Sequence, residues 1–296
     1  MIAFALPSPS EIPTLVWSGL VTGSVSAALA VGLVLVFRVS RVVNLAIGSF
    51  YVLGAFVFEH FGSEGVGVGL AALVVVLAGF GAGVAEDKLV LRPLRRQAPF
   101  TQLLATVGVA IVIEGMVIVL KGRQPVRGSP LLTGDVRVGD VRITWAHALL
   151  FLFAAIVAFG AQLQLRHGAT GKVVAAMTDD SEAATMVGID VARIRFLTYG
   201  LVGVVGAVVG MLTVPFILVD FSSGLPLSLA AFIAAVLGGG LSPLGAWLGG
   251  LALGLVDSFG ARVFSHSYAE ILTATFLIAV VLLTARFPAF RALDQT

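Results

Sequence analysis

Little in this sequence is equipped for covalent chemistry. It contains no cysteine, which excludes thiolate nucleophiles, thiolate metal sites and disulfides. The histidines His60, His147, His167 and His266 are read as loop or interface residues and show no metal-ligand spacing. There is no Gly-x-Ser-x-Gly elbow, no His-Glu-x-x-His string and no pair of acids within an apolar block, so hydrolysis has no support. The cluster Gly65-Val-Gly-Val-Gly69 lacks the Lys-Ser/Thr of a phosphate-binding loop and reads as a flexible turn. What remains is non-covalent chemistry. Asn44, Ser49, Thr106 and Glu114 stand inside long apolar blocks. A hydrogen-bonding side chain is costly there, and marks either a contact between helices or a path for a polar solute. Asn44, Ser49 and Thr106 are placed on such a path. Glu114 is read as structural, with Lys121 seven residues on as a possible partner.

A second polar feature is the interruption at 166–195, RHGATGKVVAAMTDDSEAATMVGIDVARIR. Within it the signals of a short helix predict an element over 179–187. Asp179 is a good N-cap, and Glu182 follows three residues later, where a capping box puts its carboxylate. Ala183, Met186 and Val187 share one face, and Gly188 follows where helices often close with a left-handed residue. Two turns are too short to persist alone in water. Such a helix must pack on its own protein or in a partner's groove.

The elements that position these groups are membrane spans. The chain of 296 residues is 58% hydrophobic and only 11% charged, with a mean hydropathy of +1.07. Soluble domains carry about 25% charged residues, and a surface this apolar has no place in water. An all-α polytopic membrane protein follows, organised as one domain over 1–296. Its 35 glycines suit close helix–helix approach. The net charge of +2 and the absence of a basic face exclude nucleic acid as a partner. The opening MIAFALPSPSEIP lacks a basic region and carries prolines, so it does not read as a secretory leader; the first span is expected to serve as the insertion signal.

Spans are expected at about 15–37, 42–58, 66–85, 103–120, 145–165, 196–219 and 269–284, with a broken one at 227–259. Gly19 and Gly23 make a small-xxx-small packing pair in the first. The run Glu86-Asp87-Lys88 reads as a charged turn after the third. Residues 121–144 form an external hairpin-like segment, in which 136–143 alternates around Gly-Asp. In 227–259, Gly238-Gly-Gly-Leu-Ser-Pro243 favours a chain reversal after a re-entrant half-helix over one kinked helix. About eight crossings result. With the N-terminus outside, the cytoplasmic loops hold ten Lys and Arg and the external loops five, which places 166–195 in the cytoplasm.

Several blocks carry a resemblance. Glu182-Ala183-Ala184 followed by Gly188 resembles the EAA-x-x-x-G motif of the coupling loop in bacterial ABC importer permeases. GLVTGSVSAALAVGL (19–33), VNLAIGSFYVLGA (43–55), RPLR (92–95), ATVG (105–108), GK (171–172) through GI (188–189), and AAVLGG (234–239) through GAWLGG (245–250) together resemble permease subunits of the branched-chain amino-acid (LIV-type) ABC importers. The resemblance spans nearly the whole chain. It implies a multi-pass protein of the bacterial plasma (inner) membrane that passes a small solute, most typically a branched-chain or other small amino acid, by alternating access. It further implies cytoplasmic ATP-binding subunits, a second permease subunit, identical or related, and an external solute-binding protein. No cofactor and no enzymatic activity are expected on this chain, since ATP would be bound by the partners. Asp179, Asp180, Glu182, Ala183, Ala184, Met186, Val187 and Gly188 would couple to the ATPases. The family's second span commonly reads Asn-Phe-Ala-His-Gly-Glu-Phe; here Ile47 and Ser49 replace the His and Glu, which bears on the solute and not on the fold. The competing expectation is a self-contained secondary transporter or channel.

Overall fold

The computed structural model describes residues 8–264, except 130, 131, 133, 140, 180 and 187. In order these form α1 (Ile12–Ser40), α2 (Ile47–Ser63), α3 (Val68–Ala85, continued by a π-helical turn Glu86–Leu91) and α4 (Pro99–Lys121). The strands β1 (Asp135–Val138) and β2 (Val141–Thr144) follow, then α5 (Trp145–His167), α6 (Ala169–Asp179), α7 (Ser181–Met186), α8 (Val191–Thr213), α9 (Gly224–Leu237) and α10 (Pro243–Phe264). The fold is the helical membrane bundle that the composition requires. Among the described residues six helices, α1, α3, α4, α5, α8 and α10, are long and apolar enough to cross a bilayer. Two apolar helices are shorter, α2 with 17 residues and α9 with 14. The last expected span, 269–284, lies outside the described residues.

Burial sorts the spans into two shells. The most apolar windows of α1 and α8 are 72% and 67% buried, against 22% for α3, α4 and α5. The first two are therefore central pillars, while Leu77, Ile111 and Leu152 present the outer helices to lipid. Between apolar helices in lipid, association comes from close packing and not from expulsion of water. The glycines supply it. Gly19 and Gly23 pack on Leu255, Gly250 and Gly254 of α10, so the expected small-residue pair does meet a helix. Gly79 and Gly83 of α3 face Gly203 and the carbonyl of Tyr199 on α8, where any added methyl group would strike backbone.

Three element boundaries differ from the sequence expectation, each for a physical reason. The second span was expected from residue 42, but α2 starts at Ile47. Arg41 closes α1 in the left-handed region (φ 57°), and residues 42–44 are non-helical. The third helix does not stop at Ala85; Glu86 and Asp87 continue it and are buried, at 2% and 4% exposure, instead of forming a solvated charged turn. The helix expected over 196–219 is α8, four residues or more earlier at both ends. Beyond it Val219 pairs with Val126 as an isolated antiparallel bridge, so the apolar stretch after Thr213 is not helical.

The reversal in 227–259 is present. Gly239 and Gly240 take φ of +87° and +75°, conformations that only glycine adopts without strain. The chain then turns back, so that Gly238 meets Gly245 and Ala234 meets Gly249. The hairpin expected within 121–144 is present too, with Asp135 opposite Thr144 and Val138 opposite Val141.

Candidate functional site

The first site is built at the broken start of α2. Asn44 is fully buried in the segment between α1 and α2, not within a helix. Its Oδ1 accepts the N–H of Ala46 at 2.8 Å, which turns the chain into α2. Its Nδ2 donates to Glu86 Oε2 at 2.8 Å. Thr106 of α4 accepts the N–H of Leu45 on its Oγ1 at 3.1 Å. Ser228 of α9 accepts the N–H of Gly48 at 2.9 Å and donates to the carbonyl of Leu45 at 2.7 Å. A helix that begins in a buried position leaves N–H groups with no water to meet. Here side chains of other helices meet them.

Ser49, one turn into the site, donates to Glu114 Oε1 of α4 at 3.4 Å. The same carboxylate bonds the main chain of Leu225, at the first turn of α9. Glu114 is thus held between two short helices and does not pair with Lys121, which binds Glu59 at 3.3 Å. The three path residues named from sequence, Asn44, Ser49 and Thr106, converge on the start of α2. Each makes a bond to another segment, and none is exposed.

Beside this junction lies a second polar cluster that the sequence reading did not name as a site. The turn Glu86–Leu91 is π-helical, closed by the N–H of Arg92 on the carbonyl of Asp87 at 2.7 Å. Such wide turns are rare and frequent at functional sites. Asp87 Oδ1 accepts from both Nε and Nη2 of Arg195 in α8, at 2.9 and 2.7 Å. Arg195 lies 5.6 Å from the centre of the Tyr199 ring, and Tyr199 Oη donates to Ser40 at the end of α1 at 3.0 Å. Lys88 Nζ lies 4.8 Å from the centre of the Phe196 ring. Breaking a buried ion pair by removing one partner costs about 3–5 kcal/mol, because the other charge is left buried. The overlooked signal was the unbroken helical run through Ala85. Ser228, a lone hydroxyl in an apolar run, was open to the same rule that selected Ser49.

The loop between α5 and α8 holds two helices where the sequence suggested one. The predicted 179–187 helix appears as the shorter α7, Ser181–Met186. Asp179 ends α6 and so does not stand as the N-cap of α7. Gly188 takes φ +87°, the left-handed closure expected of it. Asp190 then caps α8, accepting the N–H of Arg193 at 2.9 Å. Ala184 is buried in a small cluster with Val39, Val174 and Met177, which seats the loop on the end of α1. Met186 points away and is 86% exposed. Asp180 and Val187 lie outside the described residues, and the side chains of Glu182 and Ala183 are likewise not described.

Comparison with known proteins gives these features a context. The family model for the branched-chain amino acid transport system permease component matches residues 15–282. The chain is 28% identical over 282 residues to the high-affinity branched-chain amino acid transport system permease protein BraD of Pseudomonas aeruginosa, covering 90% of this chain and 91% of that one. It is 25% identical to the corresponding LivH protein of Escherichia coli K12, again over 90% and 91% of the two chains. The ribose import permease protein RbsC of E. coli K12 is also 25% identical, over 88% of this chain and 82% of its own. The family match takes in the junction, the π-turn and the α6–α7 loop alike. With six long apolar helices among the described residues, this chain is a multi-pass inner-membrane protein, and it belongs to the family of branched-chain amino acid transport system permease components.

Proposed function

We propose that this chain forms the membrane pathway of an ATP-driven ABC importer, passing a branched-chain or other small amino acid delivered by an external binding protein. The observation that carries this reading is the family match along residues 15–282. In this reading a second permease subunit completes the pathway. Two cytoplasmic subunits bind and hydrolyse ATP, and this chain carries neither cofactor nor catalytic residue. The α7 helix receives the stroke. Its exposed Met186 suits an apolar groove in a partner, while buried Ala184 anchors the helix to the end of α1. Movement there alternates access at the junction of α2 and α9. Ser49, beside the carboxylate of Glu114, together with Asn44 and Thr106, borders the path. A carboxylate at that point suits a solute with an ammonium group.

The test is reconstitution of the complex, purified with its co-purifying ATPases and binding protein, in liposomes. Labelled leucine uptake is expected to require ATP inside the reaction and to stop when the binding protein is omitted. Uptake by this chain alone, driven by an ion gradient, would replace the reading with a self-contained secondary transporter.

A further inference from the structure

The π-turn of α3 sets two buried acids side by side, and each is bound to a different part of the molecule. Asp87 holds Arg195, only four residues into α8. The helix α8 begins three residues after Gly188, which closes the α7 loop in a left-handed conformation. Glu86 holds Asn44, and Asn44 in turn holds the N–H of Ala46 at the entry to α2. From the start of α8, where Asp190 accepts the N–H of Arg193, the polar contacts that lead towards α2 are Arg195 to Asp87 and, from its chain neighbour Glu86, to Asn44. The widened turn serves both bonds from consecutive residues. Close packing of Gly79 and Gly83 on Gly203 fixes α3 to α8, so the two helices respond to a push on the loop as one body.

We infer that Glu86 and Asp87 link the α7–α8 arm to the entry of α2 and carry its movement to the pathway junction. The inference rests on the reading of α7 as the place where a motor acts, and it adds the residues through which the stroke travels. They are positioning residues and touch no solute. Their contribution lies in the ratio of solute moved to ATP hydrolysed, which simple loss of folded protein does not change.

The experiment measures uptake and ATP hydrolysis together in liposomes holding the full complex. In Asp87→Asn and in Glu86→Ala, uptake per ATP is expected to fall about tenfold, within the usual range of coupling between sites, while stimulated hydrolysis persists. Glu86→Gln keeps an acceptor for Asn44 and is expected to transport normally. Glu86 and Asp87 act on the same line, so the double variant Glu86→Ala with Asp87→Asn should lose no more than the worse single one; independent roles would multiply. Uptake and hydrolysis falling in proportion, multiplied losses, or unchanged coupling in both single variants would each overturn the inference. Should Asp87→Asn fail to reach the membrane, Arg195→Lys, which keeps the charge and loses the two-nitrogen grip on one oxygen, carries the same test. ATP-independent uptake by the unmodified complex would instead remove the importer reading itself.

Discussion

Ser228 of α9 donates to the carbonyl oxygen of Leu45 at 2.7 Å, and the same hydroxyl accepts the N–H of Gly48 at 2.9 Å. One side chain thus closes the start of a helix that lies 180 residues earlier in the chain. Both backbone groups are away from water, so Ser228→Ala leaves a buried donor and a buried acceptor unmet. That costs about 1–3 kcal/mol per group. A lowered thermal midpoint in detergent is expected, with Ser228→Ala clearly worse than an alanine at an exposed serine such as Ser63.

The glycine contacts between α3 and α8 leave no room for a side chain. A Cβ at Gly203 would strike the carbonyl of Gly79. Gly203→Leu must push the helices apart and with them the seat of Asp87 and Arg195. Overpacking of this kind costs about 1–3 kcal/mol or more, and the folded fraction recovered by size-exclusion chromatography should fall sharply. Gly108→Ala, where nothing lies within reach of the new methyl group, should leave recovery unchanged.

Two ion pairs of similar geometry should behave differently. Arg195–Asp87 is buried and Arg142–Asp135 is solvent-facing, though the closest approach is 2.7 Å in both. Asp87→Ala leaves Arg195 buried without its carboxylate and should cost about 3–5 kcal/mol. Asp135→Asn on the β1–β2 hairpin should shift the thermal midpoint little, since exposed pairs are screened. The Arg142 guanidinium holds the Asp135 carboxyl below the usual carboxylate range. Its folded-state pKa is lowered, so its stabilisation is complete above the ordinary value of about 3.9 and is lost only as pH falls through the lowered one. Thermal midpoints of the parent and Asp135→Asn should therefore differ equally at pH 5 and pH 8.

Met186 is nearly free of its own protein, so its replacement should not unfold the permease. Met186→Asp places a charge where the proposed apolar groove of an ATPase would sit. Co-purification of the ATPase, or its stimulation by solute-loaded binding protein, should drop while thermal stability stays at the parental value. Normal assembly and stimulation in this variant would move the contact away from α7.

Local physics was legible in the sequence. Runs of about 20 apolar residues announced the spans, alternation announced the hairpin, Gly188 announced a left-handed helix end, the triple glycine announced a chain reversal, and the pair Gly19 and Gly23 announced a helix contact. Each of these signals acts within a few residues and survives without knowledge of neighbours. The polar residues Asn44, Ser49 and Thr106 were selected for the same reason, because a polar group in an apolar run is costly wherever the run goes. Tertiary structure alone decided what they bind. Glu86 and Asp87 read locally as a solvated turn, yet they are buried, because Asn44 lies 42 residues before one and Arg195 lies 108 residues after the other. A buried polar group is tolerable only beside a hydrogen-bonding or charged partner, and which helices become neighbours is a property of the assembled bundle. The late start of α2 has the same origin: Thr106 and Ser228, from α4 and α9, satisfy the groups that a helix beginning in the buried interior leaves open.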